Sequence, residues 1–591
     1  MKKLVVTLAG DSGDGVQLLG NAFTDNIALS NYDLNTLPDF PAEIRAPAGT
    51  IHGVSGFQIQ YGYEEIHTAG QYSDVLIAFN AAALKKYIKI LKPTGTLILD
   101  PSGFDAKNCK LANFDLSSLE EISQRKIEIE FSKMTIESLQ GEAIPEKEKD
   151  KNKNIFALGL MAFAIDSSMD RTQKLLSTKF KNEKLSQMLK VLAQGYYYAE
   201  TIEFSIEKLE RGDFVHTGIF KNITGNKAIA LAIISAPKVF GKNVFFGGYP
   251  ITPASDILHE IARYKFKEII VRQAEDEIAA AAMALGAGFG GSIAITASSG
   301  PGIDLKQEVI GLAHMAEIPL LVINVQRAGP STGMPTKVEQ SDLNLTIYGR
   351  HGDCPVPVVA IKSPASAYQT TLKAMEIMIK YQTPIFLLSD AQIANGSQLW
   401  KVPQVAPNQV IENSNAEPYG RNDNSVRPWT TLGEEGINYI AGGLEKDYQT
   451  GTISYDGDNH EKMTKTRAQK IANIQKDIDT CVLEENSAEN GSVVISWGST
   501  YGSVRDAIQL LNADGIKIAH IHLEWLFPFP KNFLELINSY KNAIVVELNN
   551  GQLANHLAHY YDKPIHSVNK VKGLPFYENE LKDEILKWLK S

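Results

Sequence analysis

The stretch VRQAEDEIAAAAMALGAGFGGSIAITASSGPG (271–302) combines an apolar strand, a helix of small residues and a second apolar strand. Strands that alternate with helices are typical of a parallel α/β sheet. The run AAAAMALGAG carries little apolar bulk, so we expect its helix to pack closely against another backbone. The second strand ends in TASSGPG, whose hydroxyls and free amides suit contact with a ligand. A simple Gly/Pro turn is the alternative interpretation of that segment.

Three acidic residues, Glu275, Asp276 and Glu277, stand where the small-residue helix begins. Complementation of the helix dipole would explain them without any function. A carboxylate beside a closely packed helix is costly, however, unless it is paired or protonated. A glutamate kept partly protonated in an apolar site can transfer a proton to a ligand nitrogen. Both interpretations stay open at this point.

The segment GGYPITPAS (247–255) places Thr252 between two prolines, which restrict the backbone on either side. Thr252 could be a helix N-cap with Pro253 at the first helical position. It could also stand in the wall of a ligand pocket, and the two roles can coexist.

The segment VINVQRAGPSTGMPT (322–336) places Arg327 at the end of an apolar strand. Ligands of open α/β sheets bind at the carboxyl ends of strands. Arginine is the side chain best suited to capture a carboxylate at two points. A structural salt bridge is the alternative role for Arg327.

The length of 591 residues suggests several domains. Runs of strands and helices predict α/β domains over 1–212, 213–395 and 491–591, with 396–490 as a linker. The net charge of −10 argues against a nucleic-acid partner. No apolar run reaches the roughly 18 residues that a membrane span needs. We expect a cytoplasmic protein, because the opening MKKLVVTLAG (1–10) is typical of a strand and lacks a convincing cleavage site.

Five segments carry a resemblance to a known family: YPITP, EDEIAA…GAG, TASSGPG, QRAGPSTGMPT and EQSDL. In this order they resemble the α subunit of the 2-oxoacid:ferredoxin oxidoreductases, most closely the 2-oxoglutarate branch. These are thiamine-diphosphate enzymes that oxidise 2-oxoacids to acyl-CoA. The resemblance covers nearly the whole chain. It implies a Rossmann-like γ domain of the pyruvate/ketoisovalerate oxidoreductase catalytic type, a pyrimidine-type domain that binds thiamine diphosphate, and a transketolase C-terminal-like domain.

The resemblance also implies which residues contact the cofactor. Glu277 resembles the glutamate that hydrogen-bonds the aminopyrimidine ring of thiamine, and it lies nine residues before Gly286 as that glutamate does before its helix glycine. Glu275 is the weaker candidate for this role. Tyr249 and Pro250, in the YPITP segment, are the further cofactor-binding residues that we expect.

Substrate binding is implied for residues of two segments. Thr252 and Arg327 resemble the residues that hold the carboxylate and keto groups of the substrate, and both are expected to be catalytic together with Glu277. Thr336 closes the same loop as Arg327 and is a weaker candidate.

The chain departs from a complete thiamine enzyme in its metal motif. The pyrophosphate–magnesium site usually has Gly-Asp-Gly followed by Asn some two dozen or more residues later. Gly13-Asp14-Gly15 occurs here, but Asn35 follows after 19 residues, in a segment that resembles the γ domain instead. We therefore expect no metal site on this chain. The turn GDSGDG (10–15) could cradle a phosphate, such as that of coenzyme A, although its spacing is not the dinucleotide fingerprint.

A second polypeptide is implied by what the chain lacks. Its three cysteines cannot hold a four-Cys iron–sulfur cluster. The family's β subunit supplies both a 4Fe-4S cluster and the magnesium–pyrophosphate site. We expect an αβ or α2β2 complex that converts 2-oxoglutarate and coenzyme A to succinyl-CoA and carbon dioxide, with electrons passed to ferredoxin.

Three alternatives remain open from the sequence. The chain could belong to a non-redox, transketolase-like thiamine enzyme, which would need no iron. It could be a catalytically silent scaffold that only binds a partner. It could also bind a nucleotide through the N-terminal turn.

Overall fold

The protein, analysed as a computed structural model, is described over residues 2–41, 47–210, 216–405, 417–430, 432–433, 438–485 and 491–590. It divides into two compact units. Unit 1 comprises residues 1–222 and 396–402, and unit 2 comprises residues 223–395 and 403–591. The expected domain edge at 212/213 lies outside the described residues, and the domain edges as a whole stay predictions.

The strands are, in chain order, β1 Lys3–Asp11, β2 Asp33–Asp39, β3 Val54–Gly62, β4 Ser73–Ala78, β5 Leu91–Leu99, β6 Arg125–Glu128, β7 Phe220–Thr224, β8 Val244–Gly248, β9 Ile269–Gln273, β10 Ile293–Ser298, β11 Leu320–Gln326, β12 Val358–Ala360, β13 Pro384–Asp390, β14 Ser397–Lys401, β15 Leu483–Glu485, β16 Ser492–Trp497, β17 Ala519–Leu523, β18 Trp525–Phe527, β19 Asn542–Glu547 and β20 Ile565–Asn569.

The α-helices are, in chain order, α1 Val16–Ala28, α2 Ala81–Tyr87, α3 Ala106–Ala112, α4 Phe131–Ser138, α5 Glu146–Asp150, α6 Lys153–Ala164, α7 Met169–Lys179, α8 Asn182–Thr201, α9 Gly225–Phe240, α10 Ser255–Ala262, α11 Glu277–Phe289, α12 Gly300–Leu305, α13 Gln307–Ala316, α14 Leu343–Tyr348, α15 Ala367–Tyr381, α16 Ala391–Asn395, α17 Gly457–Asn473, α18 Thr500–Ala513, α19 Phe533–Asn538, α20 Gln552–Leu557 and α21 Glu578–Lys590. Among the described helices, none combines the length and apolarity that crossing a bilayer requires.

The first sheet is mixed rather than parallel, with the strand order β6-β5-β4-β1-β3-β2-β14-β7. Strands β1, β4, β5 and β6 run parallel, as their alternation with helices predicts. Strands β2 and β3 were not predicted from the sequence; they pair antiparallel with each other, and β3 also pairs antiparallel with β1. Parallel neighbours need a crossover connection, usually a helix. Between β2 and β3 the described residues form only the short 3₁₀ turn Ile51–Gly53.

Unit 2 contains two further sheets, so the chain has the three α/β sheets expected of its fold class. The seven-stranded sheet has the order β18-β12-β13-β11-β10-β8-β9, and it is parallel except for β18. The five-stranded sheet has the order β15-β17-β16-β19-β20. One apolar core runs through both sheets, including Ile310, Phe386 and Trp497.

Helix α11 packs closely against backbone, which confirms the prediction from its small residues. A Cβ on Gly247 of β8 would collide with the carbonyl oxygen of Ala280 in α11. A Cβ on Gly288 would lie 2.9 Å from the carbonyl oxygen of Pro319, just before β11. Small side chains at these points let helix and sheet approach each other, and they fix where α11 begins relative to the strand ends.

Within unit 2, the described residues of the segment 417–473 pack onto α13 through buried ions. Glu317, which follows α13, is fully buried and accepts hydrogen bonds from Arg421 at 2.6 and 2.9 Å and from Lys470 at 2.6 Å. Burial alone would raise the pKa of Glu317, but Lys470 and Arg421 hold it well below its usual range. Arg427 donates to the carbonyls of Ala316 and Glu317 at the end of α13, where cations are favourable.

Candidate active site

The carboxyl ends of β8, β9, β10 and β11 lie along one edge of the seven-stranded sheet, because these strands are parallel neighbours. Tyr249 and Pro250 follow β8, and Glu277 comes four residues after β9. The segment TASSGPG (296–302) forms the last residues of β10 and the turn after it, and Arg327 follows β11. This is the edge at which open α/β sheets bind ligands.

Glu277 is the first residue of α11 and its side chain is half-buried. Asp276 caps the helix, since its carboxylate accepts from the backbone N–H of Ala279 at 2.8 Å. Glu275 is exposed. Within the described residues, no group donates a hydrogen bond to the Glu277 carboxylate. Asp276 therefore accepts the hydrogen bond that caps α11, and the Glu277 carboxyl stays available to another partner.

Two buried hydroxyls at the end of β10 lack hydrogen-bond partners, and one of them, Ser298, lies next to Glu277 at Gly302. Ser298 Oγ and Ser299 Oγ, at the end of β10, are both buried and unsatisfied among the described residues. Such a group costs about 1–3 kcal/mol when it stays unpaired. Gly302 lets the side chains of Ser298 and Glu277 pack against the backbone of α12, because a Cβ on it would collide with Ser298 Oγ and lie 2.8 Å from Glu277 Cγ. We call Glu277, Ser298, Ser299 and Gly302 the cradle; its carboxyl and its two hydroxyls have no hydrogen-bond partner among the described residues, and they are donors and acceptors of the kind that a polar ring binds.

A fully buried lysine close to this cradle was not predicted from the sequence. Lys306 lies at the junction of α12 and α13, and its Nζ donates to Thr296 Oγ1 at 2.9 Å and to the Ala297 carbonyl at 3.2 Å. Burial lowers the pKa of Lys306 to about 7, and the charge of Glu277 opposes this shift. In the sequence, Lys306 follows Asp304 and Leu305 like any surface lysine, so only the packing distinguishes it.

Arg327 and Thr252 are in direct contact. Arg327 Nη1 donates to the backbone carbonyl of Thr252 at 2.8 Å, which joins the ends of β11 and β8. Arg327 is 7% exposed, and its Nε has no partner among the described residues. Burial lowers the pKa of Arg327, and the charge of Asp342 opposes this shift. The guanidinium therefore keeps an unused donor that fits a carboxylate.

Thr252 is exposed, and it is not a helix N-cap. Helix α10 begins at Ser255 with Ala254 in the N-cap position, so the N-cap interpretation of Thr252 is wrong. Residues 252–254 form a turn before the helix starts, and Asn226 fixes this turn by donating to the Pro253 carbonyl at 2.9 Å. The peptide bond between Thr252 and Pro253 is cis.

Thr336 lies in a loop that folds back onto the residue after Arg327. The backbone N–H of Ala328 donates to the Lys337 carbonyl at 3.0 Å, and Met334 N–H donates to the Ala328 carbonyl at 3.0 Å. Thr336 is half-buried in this loop. The structure thus places Arg327, Thr252 and the loop of Thr336 in one region, with Tyr249 half-buried on the neighbouring strand end.

A second buried acid of this edge, Asp342, was also missed. Asp342 accepts from Asn324 Nδ2 at 3.0 Å, and its backbone N–H donates to Gln326 Oε1 at 3.1 Å. Burial raises the pKa of Asp342. A Cβ on Gly300 would lie 3.1 Å from both of its carboxylate oxygens. The segment EQSDL contains Asp342. Because polar residues in loops after strands often belong to binding sites, this segment could have indicated Asp342 as a candidate.

The N-terminal Gly-Asp-Gly is engaged in structural contacts. Asp14 Oδ2 accepts from the backbone N–H of Asp11 at 2.8 Å, and Asp14 Oδ1 lies 3.0 Å from Lys153 Nζ. Asn35 lies in β2 and donates to the His67 carbonyl at 2.9 Å. Over the residues that the structure describes, no group of three or more His, Cys, Asp or Glu side chains is arranged to hold a metal ion.

Three family models match successive parts of the chain. Residues 5–198 match the model described as pyruvate ferredoxin/flavodoxin oxidoreductase. Residues 238–466 match "pyruvate flavodoxin/ferredoxin oxidoreductase, thiamine diP-bdg", which includes the cradle. Residues 490–580 match "pyruvate:ferredoxin oxidoreductase core domain II".

Relatives and a solved structure extend this similarity over the full length. The 2-oxoglutarate oxidoreductase subunit KorA of Mycobacterium tuberculosis is 40% identical over 98% of this chain and 91% of the relative. The 2-oxoglutarate synthase subunit KorA of Archaeoglobus fulgidus is 32% identical over 56% of this chain and 88% of the relative. The structure of 2-oxoglutarate:ferredoxin oxidoreductase from Magnetococcus marinus, with 2-oxoglutarate, coenzyme A and succinyl-CoA bound, is 29% identical, with a TM-score of 0.87 and complete coverage of both chains.

Proposed function

This chain belongs to the family of 2-oxoacid:ferredoxin oxidoreductase α subunits, and we propose that it acts with thiamine diphosphate on 2-oxoglutarate. The reaction joins the acyl part of 2-oxoglutarate to coenzyme A, releases carbon dioxide and passes electrons to ferredoxin. The observation that supports this proposal is that the cradle and Arg327 follow parallel strands at the same edge of one sheet.

Thiamine diphosphate, when bound, supplies the stabilisation of negative charge that decarboxylation of a 2-oxoacid needs. The chain's own residues orient it in our proposal. Ser298 and Ser299 offer buried hydroxyls to the pyrimidine ring, and Gly302 lets Ser298 and Glu277 lie side by side. Glu277 holds a proton at its carboxyl oxygen toward a ring nitrogen, which is the general acid–base role that an unpartnered glutamate can fill. Tyr249 and Pro250 stay cofactor-contact proposals, at the neighbouring strand end.

Substrate capture falls to Arg327 and Thr252 in this proposal. The buried Nε of Arg327 is free to donate to a substrate carboxylate, while Nη1 keeps the Thr252 turn in place. In the same proposal the hydroxyl of the exposed Thr252 donates to the keto oxygen. Thr336, in the loop that folds back onto Ala328, stays a weaker substrate-contact proposal.

The chain works as part of a multi-subunit enzyme with small-molecule substrates. We propose an αβ or α2β2 complex in which the β subunit brings the magnesium–pyrophosphate site and the 4Fe-4S cluster. Asp14 of the N-terminal Gly-Asp-Gly is paired with Lys153, and this supports a pyrophosphate site on another chain. We also propose a cytoplasmic location, because the three cysteines are free thiols; cell fractionation would test it.

The test is an assay of native material purified without oxygen. Viologen reduction is measured with coenzyme A and either 2-oxoglutarate or pyruvate. We expect brown material with a second subunit that reduces the dye with 2-oxoglutarate. Dye reduction with pyruvate but not with 2-oxoglutarate would show that 2-oxoglutarate is the wrong substrate. Colourless material that reduces the dye with neither acid would show that the redox function is wrong. Neither the transketolase-like nor the scaffold alternative is favoured by any feature of the site.

A further inference from the structure

Lys306 is a buried lysine that bonds back to the strand on which the cradle's hydroxyls follow. It stands at the junction of α12 and α13, and its side chain is fully buried. Its Nζ donates to Thr296 Oγ1 at 2.9 Å and to the Ala297 carbonyl at 3.2 Å. The cradle's two serines come directly after these acceptors in the chain. Lys306 therefore closes the segment 296–306, which contains both serine hydroxyls, into a loop.

The strand end that carries these hydroxyls lies where the sheet pairing of β10 stops. Strands β8 and β10 pair as far as Gly248 and Ala297, and the pairing of β10 with β11 ends one residue later, at Ser298. Ser299 already belongs to the turn and stands in the N-cap position of α12. The hydrogen bond from Lys306 to the Ala297 carbonyl is thus made at the last residue that pairs with β8. The amine holds the strand end at the point where the hydrogen bonds to β8 end.

A buried ammonium is a costly way to hold a strand end. Both acceptors that bind Lys306 Nζ in the described chain are neutral, and a lysine charge is unfavourable in the interior without a counter-ion. An apolar side chain of similar length would fill the same volume, and replacing buried ions by apolar groups is often neutral or stabilising. Apolar packing is not directional, however, whereas the two hydrogen bonds fix named atoms of the strand end. This contrast favours a role in positioning over a role in the fold alone.

We propose that Lys306 is a positioning residue for the cofactor site, whose two hydrogen bonds hold the end of β10 so that Ser298 Oγ and Ser299 Oγ reach the aminopyrimidine ring. Both hydroxyls are buried without partners among the described residues. Because a hydroxyl hydrogen rotates freely, the position of the backbone decides which ligand atom each hydroxyl can reach. Lys306 itself contacts no ligand atom in this proposal. The inference rests on the proposed role of the cradle.

A positioning role predicts an effect on cofactor affinity that depends on the two hydroxyls. Lys306→Met should weaken thiamine diphosphate binding by about tenfold, because each displaced hydroxyl contact is worth roughly threefold to tenfold. In the double variant Ser298→Ala/Ser299→Ala both hydroxyls are gone, so adding Lys306→Met should weaken binding by less than about twofold more. A merely structural role of Lys306 would lower the affinity by the same factor in both backgrounds.

The experiment is calorimetry on the complex purified with its partner and stripped of cofactor. Thiamine diphosphate with Mg²⁺ is titrated into wild type, Lys306→Met, the double serine variant and their combination. Lys446→Met is the matched control, because Lys446 is also buried and donates to a backbone carbonyl, that of Met315 at 2.9 Å, near the other end of α13. It should keep the wild-type affinity. An equal loss in both backgrounds, or unchanged affinity in Lys306→Met, would overturn the proposal.

A second variant keeps the test decisive if Lys306→Met fails to fold. Thr296→Val removes one of the two acceptors with little change in shape. It should weaken binding by about threefold, and this loss should disappear when the serine hydroxyls are absent. The same loss in both backgrounds would again contradict a positioning role.

The double serine variant separates this inference from the proposed function. If Ser298→Ala/Ser299→Ala binds thiamine diphosphate as tightly as wild type, the proposed role of the cradle is wrong. If it binds weakly while Lys306→Met and Thr296→Val bind like wild type, only the positioning role of Lys306 is wrong.

Discussion

Two Gly-rich turns in this chain join a buried strand to a helix, and they use their polar groups in opposite ways. In GDSGDG (10–15), after β1, both aspartates accept hydrogen bonds from the backbone of the turn or of its neighbours, and of their oxygens only Asp11 Oδ1 is buried without a partner among the described residues. Asp14 accepts from Asp11 N–H, Asp11 Oδ2 accepts from Gly49 N–H at 2.8 Å, and Lys153 neutralises Asp14. An incoming phosphate would have to displace the turn's own carboxylates, which argues against the nucleotide-binding alternative.

The turn TASSGPG (296–302), at the end of β10, leaves polar groups unused. Ser298 Oγ and Ser299 Oγ are buried without partners, and Gly302 brings Ser298 and Glu277 together because it has no Cβ. Glycine content alone therefore does not mark a ligand site. A ligand site requires hydrogen-bond donors and acceptors that the protein itself leaves unpaired. Whether a turn has them depends on residues as distant in sequence as Gly49 and Lys153.

Removal of Glu277 should have the largest effect. Glu277→Ala should lower turnover by about 10²–10⁴-fold, because a positioned acid–base group contributes that much. It should also abolish exchange of the thiazolium C2 proton while the complex still assembles. NMR exchange and viologen reduction are the measurements. Glu275→Ala, which removes the exposed acid two residues earlier, is the matched control and should stay near wild type. Exchange at the wild-type rate in Glu277→Ala would remove the role we assign to this residue.

Alanine in place of one glycine of each turn tests the comparison directly. A Cβ on Gly302 collides with Ser298 Oγ, whereas a Cβ on Gly13 meets nothing within 4 Å. Gly302→Ala should cost about 1–3 kcal/mol through overpacking and weaken thiamine diphosphate binding by about 10–100-fold. Gly13→Ala should change stability by less than about 0.5 kcal/mol. Equal binding by the two variants, measured by calorimetry, would mean that the cradle is not where the cofactor lies.

Removal of the Asp14 side chain should lower stability and leave the cofactor site intact, which is the opposite of what we expect for Glu277→Ala. Asp14→Ala leaves Asp11 N–H without its acceptor and removes a partner of Lys153. We expect a loss of about 2 kcal/mol in the free energy of unfolding, since hydrogen bonds to charged groups contribute about that much. Denaturant unfolding followed by circular dichroism would show it. Cofactor affinity should not change, and a parallel drop in affinity would be evidence that the N-terminal turn contributes to the site after all.

Much of this arrangement could be predicted because it depends on local patterns. The apolar runs NVFFGG, SIAITASSG and PLLVINVQ became β8, β10 and β11, and the small-residue helix α11 lies between β9 and β10. The antiparallel pairing of β2 with β3 and the burial of Lys306 could not be predicted, because both depend on contacts between distant residues. The ionic attachment of 417–473 through Glu317 was missed for the same reason, since its partners lie more than a hundred residues apart.

Ser298 gives the smallest and most specific test of the comparison. Its hydroxyl is unpaired in the free chain, so Ser298→Ala should leave the stability of the free chain unchanged or slightly higher. Thiamine diphosphate binding should weaken by about 0.5–1.5 kcal/mol, or roughly threefold to tenfold, because one hydrogen bond to the ligand is lost. Ser102→Ala in unit 1 is the matched control, since Ser102 Oγ donates to Asp100 at 2.8 Å. That variant should lose stability and keep its cofactor affinity. If Ser298→Ala also lost stability and kept its cofactor affinity, the Ser298 hydroxyl would have a structural role like that of Ser102. The contrast between the two turns would then be wrong.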